Sequence, residues 1–272
     1  MPILAGYMLP HPPLAVHEVG RGEEFRIQKT LDAYNRIAED IKALDPETII
    51  ITSPHSIMYS DYFHISPGTH ARGDFSRFGA GNVTFDVNYD TELAGEICDI
   101  CQKEGFPAGT EGERMRELDH GTMVPLYFIN KYFSGYRIIR AGLSGLPLKD
   151  HYRFGEIISE AVDRTGRRVV FLASGDLSHC QKEDGPYGFK PEGPEYDEKL
   201  MEVMGRGDFK ALLDFDESFL RRAEECGHRS FVIMGGALKG YDHDSEVLSH
   251  EATFGVGYGT GIYRCRNTGK LS

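Results

Sequence analysis

Apolar residues along this chain recur in two alternating rhythms, short unbroken runs and longer stretches with three- and four-residue steps. Pro2 to Met8 is a first apolar run, ending at the turn Pro10-His11-Pro12-Pro13. Ile27, Leu31, Tyr34, Ile37, Ala38, Ile41 and Leu44 then mark one face of an amphipathic helix that stops before Asp45-Pro46. Thr48 to Thr52 is β-branched with no polar alternation, which predicts a central strand buried on both faces.

The same alternation continues. Strands are predicted over 61–66, 83–87, 136–141 and 168–173, with helices over 91–104, 124–132 and 148–164 between them. The Gly-rich stretch Gly68 to Gly81, carrying Arg72, Phe75, Arg77 and Phe78, is expected to form either a lid over a site or a surface excursion. Helices near 195–204, 208–213, 217–222 and 228–238 precede two closing strands, 245–254 and 257–264. With no repeat, linker or low-complexity block, residues 1–272 are expected to form a single three-layer α/β domain. A central mixed, mainly parallel sheet would be flanked by helices.

Charge narrows the partners. The net charge of −12, without any Lys/Arg cluster, argues against nucleic acid and anionic membranes. The start lacks a basic region leading into an apolar one, and no later stretch is apolar for the length of a bilayer, so a cytoplasmic protein is expected. Five scattered cysteines favour reduced thiols, and Cys98 and Cys101 share a helix face with Leu93, Ala94 and Ile97, so packing explains their spacing.

Four histidines stand apart. His11, His55 in Ser53-Pro54-His55-Ser56, His120 in Asp119-His120-Gly121, and His179 in Ser174-Gly175-Asp176-Leu177-Ser178-His179 are flanked by Pro, Gly or small polar residues. Three of them follow predicted strands, where open α/β sheets gather functional groups. A metal centre is the expected result. His17, His64, His70, His151, His243 and His250 are expected to be surface or packing residues. Two neutral imidazoles with one carboxylate is the donor set of non-haem Fe(II) oxygenases, and Glu224-Glu225-Cys226-Gly227-His228 is the best source of the carboxylate.

These motifs, in this order, resemble the class III, LigB-type extradiol ring-cleaving dioxygenase superfamily from His11 to the end of the chain. Glu251-Ala252-Thr253-Phe254-Gly255-Val256-Gly257-Tyr258-Gly259 is similar to the AmmeMemoRadiSam branch. The resemblance implies His11 and His55 as metal ligands, Glu225 as the third ligand with Glu224 its rival, His179 as acid/base and His120 beside the substrate and oxygen pocket. It implies Fe(II), with Zn or Mn as alternatives, and a small catecholic aromatic and dioxygen as reactants; a homo-oligomer is expected because such acidic α/β enzymes commonly form one. Asp119 and Asp176 would orient histidines, and Arg114 or Arg116 would meet a substrate carboxylate if they are not solvated surface charge.

The Memo-related branch has Cys-Gly-Arg where dioxygenases place their carboxylate, and here Cys226-Gly227 follows Glu225. That likeness implies an alternative, a Memo-like redox or binding protein using Cys226 with His11 and His55. A zinc hydrolase with His179 as general base is a further alternative.

Overall fold

A computed structural model describes residues 2–270. Its strands are β1 (Ile3–Leu9), β2 (Thr48–Ser53), β3 (Phe63–His64), β4 (His70–Phe75), β5 (Ala80–Asn88), β6 (Ala108–Gly109), β7 (Arg137–Gly142), β8 (Val169–Ser174), β9 (Tyr241–Glu251) and β10 (Tyr258–Lys270). The α-helices are α1 (His17–Gly20), α2 (Gln28–Leu44), α3 (Thr91–Glu104), α4 (His120–Ile129), α5 (Leu148–Thr165), α6 (Glu192–Arg206), α7 (Glu217–Ala223) and α8 (His228–Ala237).

Six strands form the central sheet in the order β7-β2-β8-β1-β10-β9. The first four are mutually parallel, and β10 and β9 add an antiparallel edge. Register explains the sequence rhythm. Ile49 and Ile51 point into one apolar layer with Leu31, Ile37 and Ile41 of α2, while Ile50 points into the other with Ile157 and Ile158 of α5. Both faces are covered, so an unbroken apolar run replaces alternation. Cys101 lies in the second layer with Cys98 packed against it, so the C-x-x-C spacing is packing.

Three expectations need correction or refinement. The strand expected over 61–66 shrinks to the two residues of β3, paired with β6. The Gly-rich stretch, left as either a lid or a surface excursion, is a hairpin: β4 pairs antiparallel with the long β5, and a single 3-10 turn, Ser76–Phe78, sits between them. Helix α4 begins four residues earlier than its apolar stretch suggests, because Asp119 caps it by accepting the Thr122 N–H at 3.0 Å. No helix among the described residues is long and apolar enough to cross a membrane.

His151 of α5 shows how the core handles a titratable group. Its Nδ1–H points to the Pro147 carbonyl at 3.1 Å, its Nε2 accepts the Ser144 N–H at 3.3 Å, and its ring packs edge-on to Phe63. Burial pushes its pKa down to about 3. The unfolded chain therefore takes up this proton first as pH falls. The stabilisation is complete above pH 6.5 and drains away below it. Urea denaturation should show about 2 kcal/mol of lost stability between pH 7 and pH 5 from this residue. His151→Gln should flatten the pH dependence by that amount while lowering stability at pH 7; an unchanged slope would count against the assignment.

Candidate active site

The parallel neighbours β2, β8 and β1 end on the same edge of the sheet, with Leu9 opposite Ser174 and Thr52 opposite Ala173. His11, His55, Asp176 and His179 leave from those ends. α4 brings His120 to the same place, and the turn before α8 brings Cys226.

His11 is buried, with its Nε2 3.0 Å from that of His55 and 3.7 Å from the Cys226 Sγ. His11, His55 and Cys226 each offer one donor atom within 4.8 Å of the others. His120 stands over His55, with ring centroids 3.9 Å apart. Burial lowers the pKa of His11, His55 and His120, that of His120 to about 3; His55 adds to the lowering at His11, and His55 and His11 add to it at His120. Burial thus favours the neutral form of all three rings.

Local hydrogen bonding fixes the His11 tautomer. Pro125 lies inside α4 and has no N–H, so the Gly121 carbonyl lacks its helical donor. The Ser174 hydroxyl donates to that carbonyl instead, at 2.6 Å. Having given up its only proton, the same oxygen must accept from His11 Nδ1 at 2.9 Å. Nε2 is left bare and faces the cluster. His55 is held less directly: its backbone N–H meets Ser53 Oγ at 3.2 Å, and that hydroxyl donates to Asp119 at 2.5 Å.

His179 directs its Nδ1 at the Glu224 carbonyl, which can only accept, so its Nε2 is free of that proton. Asp176 accepts the His11 backbone N–H at 2.8 Å, and its own N–H points to the Cys226 Sγ at 3.3 Å. It thus ties the His11 loop to the Cys226 turn, and Asp176, His179 and Cys226 form a second group of donors sharing the same sulfur.

The carboxylates expected as third donor are elsewhere. Glu225 turns away and accepts the His228 N–H at 2.7 Å, capping α8. Burial raises its carboxyl to about 7. Glu224 pairs with Lys190 at 2.7 Å. Its backbone is left-handed, φ 53°, and that turn selects which neighbouring side chain points inward. Of the three, Cys226 is the one whose donor atom lies with those of His11 and His55. Sequence reasoning also passed over Ser174 as the hydroxyl that fixes His11.

A cavity of about 690 Å³ opens beside His55 and His120, walled by the β4–β5 hairpin through Arg72, Arg77 and Phe78. Phe78 meets His120 edge to face at 5.5 Å. Arg116 lines a neighbouring cavity instead, and Arg114 stacks on Tyr59 at 4.7 Å.

Residues 5–261 match the family described as the catalytic LigB subunit of aromatic ring-opening dioxygenase. The chain belongs to this family. It is 40% identical over 260 residues to Protein CA_C1420 of Clostridium acetobutylicum, a match that covers 93% of this chain but 56% of that protein, so the chain spans about half its length. The 2-aminophenol 1,6-dioxygenase beta subunit of a Pseudomonas species is 25% identical, covering 94% of this chain and 92% of the relative. The Escherichia coli 3,4-dihydroxyphenylacetate 2,3-dioxygenase is 26% identical, covering 82% and 84%. The crystal structure of the uncharacterized protein JW3007 from Escherichia coli K12 shares the fold, with a TM-score of 0.61 at 14% identity over 95% of this chain and 99% of that one.

Two backbones nearly touch where Cys226 is presented. A Cβ on Gly175 would lie 2.0 Å from the Gly227 Cα, and neither backbone can yield without moving Asp176 or Cys226. Gly175→Ala should lower stability by about 3 kcal/mol or more in chemical denaturation, or abolish soluble expression. A variant of wild-type stability would refute this close packing.

Proposed function

We propose that this chain is a thiolate-ligated metalloprotein of the LigB family that binds a small hydroxyl-bearing aromatic beside its ion. On this reading it does not open the ring. The observation that carries it is the donor set: the Cys226 sulfur stands with His11 and His55, while the Glu225 carboxylate is committed to the His228 N–H. Two imidazoles and a thiolate fit a borderline or soft cation such as zinc or copper. They do not reproduce the two-histidine, one-carboxylate set of Fe(II) ring-cleaving oxygenases.

When bound, the ion would supply Lewis acidity toward a ligand oxygen. The remaining roles belong to the protein. His11 enters as a neutral ligand because Ser174 keeps its proton on Nδ1. Cys226, whose thiol is held well above its ordinary pKa by burial, must release a proton when a cation arrives. His179 has a ring nitrogen free to take a proton from a ligand hydroxyl, because its other one is tied to Glu224. His120 and Phe78 form the aromatic wall against which a planar ligand rests.

A second reading, extradiol cleavage, draws on the dioxygenase relatives and on His120 and His179 standing beside the donors. It would use Fe(II), dioxygen and a catecholic substrate. A catechol panel with the iron-loaded protein under air separates the two: yellow ring-opened product favours the second reading, and its absence with the diols still bound favours the first. Aerobic ring cleavage at rates comparable to an authentic extradiol enzyme would defeat the primary proposal.

Metal content gives the sharper test. His11→Ala, His55→Ala and Cys226→Ser should each lose the ion on dialysis, whereas Glu225→Gln and Glu224→Gln should keep it. Ser174→Ala should weaken affinity by about 10- to 100-fold, as expected when a group that orients a ligand is removed. Retention of metal by Cys226→Ser together with its loss from Glu225→Gln would restore the carboxylate reading.

A further inference from the structure

We infer that the centre takes a second cation, held by Asp176 and His179 and joined to the first through the Cys226 sulfur. The inference rests on the proposed thiolate-ligated site and adds an ion position that this reading leaves open.

Five donors converge at the ends of β1, β2 and β8 and the turn before α8, and they fall into two sets with only the sulfur in common. His11, His55 and Cys226 form one. Asp176, His179 and Cys226 form the other, each residue offering one donor atom within 4.8 Å of the rest. Zinc held by such donors takes four ligands, commonly three of them from the protein, so five donors are more than one ion uses. A thiolate has more than one lone pair, and a single sulfur serves both ions.

Hydrogen bonding shows what the second set lacks. Asp176 is buried, 6% exposed, and its two oxygens differ. Oδ1 accepts the His11 backbone N–H at 2.8 Å. Oδ2 has no hydrogen-bond partner among the described residues, and the His11 Nε2 that stands 3.9 Å from it is too distant for one. That nitrogen has no proton to give in any case, because Ser174 keeps it on Nδ1. His179 presents a further bare nitrogen, its Nε2, since the Glu224 carbonyl holds the other ring position. A buried carboxylate oxygen ringed by acceptors is costly unless positive charge lies among them. Loading this position also ties up the His179 nitrogen, so occupancy by a second ion and proton transfer through His179 exclude one another.

The test is a zinc titration of metal-free protein, with metal analysis after gel filtration. Wild type should take two equivalents per chain in separate steps. Asp176→Asn keeps an oxygen for the His11 N–H but removes the carboxylate charge. It should retain the tight equivalent and weaken the other by about 10-fold or more, the scale of losing a group that supports a metal site. His179→Ala should bind one equivalent. With cobalt(II) in place of zinc, the electron paramagnetic resonance signal of the first equivalent should fall as the second enters, because a shared sulfur couples the two spins. A wild type that saturates at one equivalent, a second equivalent unweakened in either variant, or two uncoupled cobalt signals overturns the second position and leaves the His11, His55 and Cys226 centre standing. Loss of all zinc from both variants shows one ion held by the whole donor set and overturns it equally. A wild type that binds no zinc removes the proposed centre, and this inference with it.

Discussion

The site depends on one hydroxyl proton. Ser174 has a single O–H to give, and the Gly121 carbonyl receives it because Pro125, four residues on, has no N–H for that carbonyl. The serine oxygen must then act as acceptor toward His11, which sets the tautomer of the most buried ring in the cluster. Three distant segments are thereby joined: the end of β8, the turn after β1 and the first turn of α4. A proline inside a helix ordinarily weakens it. Here the freed carbonyl orients a side chain.

Burial in the same site works against charge on several of its groups. Burial disfavours protonated imidazole at His11, His55 and His120, disfavours thiolate at Cys226 and pushes the Asp176 carboxyl upward. A cation entering the site meets bare nitrogen lone pairs, and its own charge then stabilises the thiolate that burial alone would forbid.

Much of this arrangement was legible in the sequence, because strand ends and turn residues are local features. The unbroken run Thr48 to Thr52 and the turn after it already put His55 at a sheet edge, and the segment from Ser174 to His179 repeats the pattern. What could not be read was the direction of a side chain within a turn. Glu224, Glu225 and Cys226 are consecutive, so spacing cannot rank them. The choice is made by the left-handed backbone at Glu224 and by the near contact of Gly175 with Gly227, neither of which has a periodic signature. The hairpin β4–β5 was half hidden for a related reason: a strand was expected over 83–87, but the glycines and charges before it carry no strand signal, and only pairing with that long neighbour makes β4 a strand.

On the proposed reading, replacing a carboxylate by the thiol one residue later would change more than the element that binds. Both anions carry one negative charge, so the electrostatic balance of a loaded site is conserved. The carboxylate, however, offers two hard oxygens on a side chain able to pivot, and the thiolate offers one soft, polarisable sulfur on a short arm fixed by the Asp176 loop. Glu225 is at the same time removed from competition, because its carboxyl serves the first turn of α8 and would leave the His228 N–H without its partner if it swung inward. The cap and the centre therefore specify each other. With Glu225 held as cap, the sulfur is the donor of this turn that stands beside His11 and His55, and on the proposed reading such a donor set would favour softer ions over a hard-oxygen iron site.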